Sequence, residues 1–168
     1  ETGVYRPPSE GGSASLLVRF TRNCPWNRCT FCGMYKGEKF EMRSVAEIKK
    51  DIDAMKAVWD DLQDISWKMG QGGDISRKVI MTFVEQVPGL NHQPGLASLY
   101  HWMVAGGKTA FIQDANSLIM KTDALVEALT YLRRQFPSLD RVTSYARAKT
   151  LVKKSDQELA AIRQAGLD

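Results

Sequence analysis

At 168 residues the chain suits one domain, long enough to bury a core without help from metal or disulfides. Its 23 basic and 19 acidic residues leave a formal charge of +4, which is compatible with a nucleic-acid partner but argues only weakly for one. No apolar run approaches the roughly 18 residues of a membrane span and no basic segment leads into an apolar signal core, so no membrane partner is expected.

Residues 1–14 read as an irregular lead-in, with two prolines and three glycines by Gly12. They form either a mobile terminus or a segment whose Tyr5 and Arg6 cover one end of a barrel. The run from Ser15 to Thr21 reads as a strand. Its near-continuous apolar character suits a parallel sheet covered on both faces. Directly after it comes Cys24-Pro25-Trp26-Asn27-Arg28-Cys29-Thr30-Phe31-Cys32, which holds all three cysteines of the chain. Pro25 restrains this loop, and Gly33 and Gly37 permit tight turns after it.

Three thiols in one short loop can fill three corners of an iron–sulfur cubane and leave one iron without a protein ligand. Other uses stay open. Three cysteines cannot all pair as disulfides, and two lie only three residues apart, so a disulfide framework is not expected. Zinc needs a fourth ligand. The only histidines, His92 and His101, fall in a separate region and read as ordinary surface or partly buried residues. Inert thiols are the remaining reading. A requirement for reduced thiols makes the cytoplasm the expected compartment.

A helix is expected from Ser44, which stands in capping-box relation to Glu47. Val45, Ile48, Ile52, Met55, Trp59 and Leu62 recur at spacings of three and four, leaving Lys49, Lys50, Asp53, Lys56 and Asp60 outward. From Gln63 to Lys108 the link to the next strand is long, and it reads as a helical insertion. Gly70, Gly72 and Gly73 break it. One helical pattern runs through Val79, Ile80, Phe83 and Val84, and another through Leu96, Leu99, Tyr100 and Met103. Pro88, Gly89, Pro94 and Gly95 separate the two. The insertion serves either as added core or as a surface rich in Trp67, Tyr100, His101 and Trp102, with packing preferred.

Strand character returns at Thr109–Asp114. Thr122 is the expected cap of a helix whose Leu125, Val126, Leu129 and Leu132 face inward, with Pro137 as its stop. Arg141 to Tyr145 reads as a third strand. Ser155 and Glu158 form a second capping box, Leu159 and Ile162 supply the apolar stripe, and Gly166 is a helix stop. Alternation of this kind favours parallel strands joined by crossovers.

The cysteine loop, with Phe31 just before its last cysteine, resembles the cluster motif of the radical SAM (S-adenosylmethionine) superfamily. The usual C-x3-C-x2-C spacing is here C-x4-C-x2-C. Tyr5-Arg-Pro-Pro-Ser-Glu10 and Cys29-Thr-Phe-Cys-Gly-Met-Tyr35 are similar to a mostly uncharacterised microbial group of that superfamily, and the matching run extends through Phe111 to Leu167. The resemblance implies an α/β fold: the N-terminal half of a parallel (β/α)6 partial TIM-like barrel, residues 15–168, with the helical insertion at about 63–108. On that reading the chain stops at Asp168 where a fourth strand should begin, so it is either a fragment or a half-barrel completed by self-association.

The resemblance also implies chemistry. Thiolates of Cys24, Cys29 and Cys32 would hold a [4Fe–4S] cluster, whose open iron would chelate S-adenosylmethionine. Phe31 should lie near the adenine. The family's glycine-rich turn after the second strand is absent, and Gln113, Asp114 and Asn116 occupy its place as acceptors for the cofactor's ammonium. Ser144 and Arg147 would reach its ribose or carboxylate, or the substrate. The substrate is not encoded in any visible motif, and no catalytic side chain is assigned. An external electron donor such as flavodoxin or ferredoxin is expected.

Two further classes are kept. One is a non-catalytic iron–sulfur or zinc module. The other is an enzyme that modifies nucleic acid, motivated by Arg133, Arg134, Arg141, Lys149, Lys153 and Lys154. Methylthio transfer, which would need a second cluster, has no cysteines left to bind one.

Overall fold

The computed structural model describes residues 1, 3, 15–87 and 94–168. Tyr5, Arg6, Pro88, Gly89 and His92 lie outside the described residues, as does most of the expected lead-in. The chain is α/β, built on a three-stranded sheet of order β1-β4-β5. β1 (Leu16–Arg19) pairs parallel with β4 (Thr109–Gln113), and β4 pairs parallel with β5 (Arg141–Ser144). A short antiparallel ribbon joins β2 (Thr21–Arg22) to β3 (Glu41–Met42).

The first expected strand is therefore divided. It leaves the parallel sheet after Arg19, and Thr21 and Arg22 pair instead with Met42 and Glu41 across the base of the cysteine loop. Alternation along the strands explains which side chains meet the helices. Leu16, Val18, Ala110, Ile112 and Val142 join the main core, while Leu17 and Phe111, equally buried, point to the opposite face.

α1 (Val45–Lys68) opens with the expected capping box between Ser44 and Glu47 and buries Ile48, Ile52 and Leu62. It runs past the expected start of the insertion at Gln63, because Ile65 and Ser66 continue the buried stripe. A Schellman turn ends it: Gly70 takes φ +73°, its amide bonds to Trp67 O, and the Gln71 amide bonds to Ser66 O. The extra helices thus occupy only the segment after Lys68.

α2 (Arg77–Gln86) packs on α1 through the buried Val79 and Phe83. α3 (Pro94–Val104) packs beside β1 through Leu99, Trp102 and Met103. Trp102 is wholly buried, with its ring 5.0 Å from that of Trp59 and edge-on to Phe136 at 5.3 Å. The packing reading holds for this residue, while Trp67 and His101 stay exposed.

α4 (Thr122–Gln135) lays Leu125, Ala128, Leu129 and Leu132 into the core, each large side chain contributing about 1.5–3 kcal/mol by burial. Thr122 is not its cap. Lys121 holds that position without a side-chain bond, and the Thr122 hydroxyl is drawn away to donate to Glu158 Oε1 at 2.6 Å. A one-turn helix α5 (Ala148–Leu151), which the sequence pattern did not announce, follows β5. α6 (Asp156–Gln164) has the expected capping box and ends at Gly166, φ +105°, in a second Schellman turn. Beyond it, the Asp168 amide donates to Val142 O at 2.8 Å, against the outer edge of β5. Among the described residues no helix is long and apolar enough to cross a membrane.

Candidate active site

The cysteine loop is an excursion between β1 and α1, closed at its base by the β2–β3 ribbon. Arg43, almost fully buried, locks that base. Its guanidinium donates to Arg19 O at 2.7 Å and to Asp51 Oδ2 at 2.6 Å. Because β1, β4 and β5 are parallel, the loop and the segments after Gln113 and Ser144 all emerge at the carboxyl end of the sheet. Strand ends of this kind are where α/β barrels and open sheets assemble their sites.

Asp114 organises this edge. It takes φ +72°, a left-handed conformation that Asp tolerates better than most residues, and this turns its side chain under the loop. The carboxylate is inaccessible to solvent. Oδ2 accepts from Arg19 Nε at 2.8 Å and from the Asn23 amide at 2.7 Å, and Oδ1 accepts from the Tyr35 hydroxyl at 3.1 Å. Three donors, one of them a guanidinium, satisfy this buried carboxylate in place of water. Burial, and after it the nearby Asp114 charge, pushes the Tyr35 phenol well above its ordinary range, so the hydroxyl remains a donor.

Asn23 and Tyr35 flank Cys24 and Cys32, so one carboxylate holds both ends of the cysteine loop. Asn27 braces its interior. Its backbone is left-handed at φ +46°, its side-chain amide donates to Tyr35 O and to Glu38 O, and its own amide donates to Cys24 Sγ at 3.4 Å. Of the two glycines expected to turn the loop, Gly37 does so at φ +82°, whereas Gly33 keeps an ordinary backbone.

The expected cofactor residues gather at the same edge, each with protein partners. The Gln113 side chain pairs with both backbone polar groups of Gly3, at 2.7 and 3.2 Å. Asn116 is buried, donating to Thr150 Oγ1 at 2.8 Å and accepting the Arg147 amide at 3.0 Å. Ser144 donates back to Ile112 O at 3.2 Å. The Arg147 guanidinium lies over the Trp26 ring, 4.7 Å from its centroid. Phe31 stands 90% exposed.

Cys24, Cys29 and Cys32 are free thiols, each half-buried. Cys32 borders an open groove of about 380 Å³ that is also lined by Met34, Tyr35, Ala115 and Tyr145. The donor set suits a soft metal or an iron–sulfur cluster in type, since thiolates are the ligands both prefer. The thiols are not gathered into a ligand set: among the described residues no three Cys, His, Asp or Glu side chains stand close enough to hold a metal ion.

Sequence reasoning missed Arg19, Asn23 and Asn27 as parts of this edge, and quoted Tyr35 only within a motif. The signal was present in composition: asparagines at the shoulders of a loop are the residues that accept positive φ.

Comparison of the chain with protein-family models, with curated proteins and with solved structures finds no match.

Proposed function

We propose that this chain forms the cluster-binding part of a radical SAM enzyme, the first strands of a partial (β/α) barrel whose substrate is unassigned. The observation that carries the reading is the position of the three cysteines. All lie in one loop beyond the first strand of a parallel sheet, and that loop is tied down at both ends by the buried Asp114 carboxylate just after β4. After α6 the chain returns to the outer edge of β5, where the Asp168 amide donates to Val142 O.

In this reading Cys24, Cys29 and Cys32 would hold a [4Fe–4S] cluster. The chemistry such a cluster would supply, once bound and reduced, is reductive cleavage of S-adenosylmethionine to methionine and a 5′-deoxyadenosyl radical, for hydrogen abstraction from a substrate. The remaining work falls to the chain's own residues. Asp114 and Asn27 fix the loop. Gln113, Asn116 and Ser144 hold the strand ends against their neighbours, while Cys32, Tyr35 and Tyr145 line the open groove in which a small molecule would sit. Phe31, fully reachable from solvent, is free to pack against an adenine. An external donor such as flavodoxin or ferredoxin would supply the electron.

Oxygen-free reconstitution with iron and sulfide, followed by calorimetry with S-adenosylmethionine, tests the reading. Cofactor binding that appears only in the reconstituted protein, and is lost in Cys29→Ala, is the expected result. Tight zinc binding with no affinity for S-adenosylmethionine would instead identify a non-catalytic metal module.

A further inference from the structure

Beside the cysteine loop, on the α5 side, lies a second open groove of about 340 Å³. Its floor is Leu118 and Ile119, and its walls carry Trp26, Arg147, Lys149 and Lys153. Trp26 is 42% exposed and is bracketed by cations, with Arg147 at 4.7 Å and Arg28 at 5.4 Å from its ring centre. Some surface cations of the chain are paired with carboxylates, as Lys49 is with Glu127 and Lys56 with Asp60. Here Arg28, Arg147, Lys149 and Lys153 make no ion pair among the described residues. The carboxylate in the groove wall, Glu158, is taken up by the Thr122 hydroxyl and the Ser155 amide, and Lys154 is turned onto Met120 O and Thr122 Oγ1.

Three cations without counter-ions in the wall of one groove, with Arg28 beside Trp26, exceed what a single small anion needs. A partly exposed indole and two guanidinium planes add flat surface on which a base can stack. Cations that track a backbone, with planar side chains between them, are the combination by which proteins hold single-stranded nucleic acid. A stretch of acidic polypeptide would use the charges and leave the planar surface idle.

We propose that the groove around Trp26 binds a single strand of nucleic acid, with Arg147, Lys149 and Lys153 on its phosphates and a base against Trp26 and Arg28. The groove adjoins the cysteine loop, because Trp26 and Arg28 belong to both. The strand is therefore the substrate class of the enzyme proposed above, an assignment that rests on that reading. The binding itself does not rest on it and needs no metal.

The test is fluorescence anisotropy of a short labelled single-stranded oligoribonucleotide titrated with the metal-free chain, across a series of salt concentrations. Binding should weaken with a log–log salt slope of roughly 2, as expected for about three phosphate contacts on a single strand. Lys149→Glu and Lys153→Glu, both exposed and outside the core, should each weaken binding by about tenfold or more. Lys78→Glu, an equal charge change on the exposed face of α2, should leave it within about twofold. Absence of binding at low salt would overturn the proposal. So would equal losses in all three variants, or polyglutamate competing as well as the oligonucleotide, which would mark an acidic protein as the partner. Because no cluster is involved, failure here leaves the proposed radical chemistry standing, and failure of reconstitution leaves this result standing.

Discussion

The Asp114 carboxylate accepts the backbone amide of Asn23 at 2.7 Å, across 91 residues of sequence, and thereby fixes the point at which the chain leaves β1 for the cysteine loop. The other oxygen of the same carboxylate takes the Tyr35 hydroxyl at the far end of the loop. A group expected to meet a cofactor's ammonium thus has its acceptors turned toward the protein. Its work is positioning.

Asp114→Asn should therefore act on both stability and the loop. It removes the charge that Arg19 and two further donors share. Arg19 keeps a contact with Glu1 at 2.8 Å, so the loss should fall near the low end for a broken buried pair, about 3 kcal/mol in denaturant unfolding. Alkylation of the three thiols should also become faster, since both anchors of their loop are weakened. Unchanged thiol reactivity would deny Asp114 this role.

Tyr35 makes the anchor sensitive to alkali. Its folded pKa is raised above the unfolded value by burial and by the Asp114 charge, so the native state holds the phenolic proton more tightly. The stability from this contact is full below the unfolded pKa of about 10 and is lost as the pH climbs from there through the folded value. Melting temperature above about pH 10 should fall more steeply in the wild type than in Tyr35→Phe. Parallel curves would contradict the assignment.

Asn27 separates a backbone requirement from a side-chain one. Asn27→Gly keeps the left-handed turn and loses the amide that holds Tyr35 O, whereas Asn27→Val loses both. The valine variant should cost about 1–3 kcal/mol more than the glycine variant. Limited proteolysis should cut within the loop of either variant faster than in the wild type.

Trp102 lies at the centre of the packing between α1, α3 and the end of α4, but its indole N–H has no partner among the described residues. Trp102→Ala should cost about 3–5 kcal/mol through the cavity it leaves. Trp102→Phe removes the unsatisfied donor along with one ring and should cost no more than about 1.5 kcal/mol. A phenylalanine variant as costly as the alanine variant would contradict this account of the residue.

Much of the framework was legible in the chain. Two capping boxes, at Ser44 and Ser155, mark helix starts because each uses two side-chain bonds that operate within four residues. The three parallel strands follow from apolar runs alternating with helical stripes. What could not be read were partnerships across distance. Nothing near Thr122 says that Glu158, 36 residues on, will take its hydroxyl, and nothing near Thr21 says that Met42 will draw it out of the parallel sheet. The site divides in the same way. The cysteine spacing and the cluster of Gln113, Asp114 and Asn116 are local patterns. The use of their polar groups against Gly3, Asn23, Tyr35 and Thr150 is decided by the fold.

Under the proposed function, Cys24, Cys29 and Cys32 supply three corners of a cluster whose fourth iron is open to a small molecule. Electron paramagnetic resonance of the reconstituted, reduced protein before and after adding S-adenosylmethionine tests it most directly. The account predicts about four irons per chain, a reduced-cluster signal that shifts on adding the cofactor, and loss of that signal in each single cysteine-to-alanine variant. A signal indifferent to S-adenosylmethionine, or iron content unchanged by those substitutions, would contradict it.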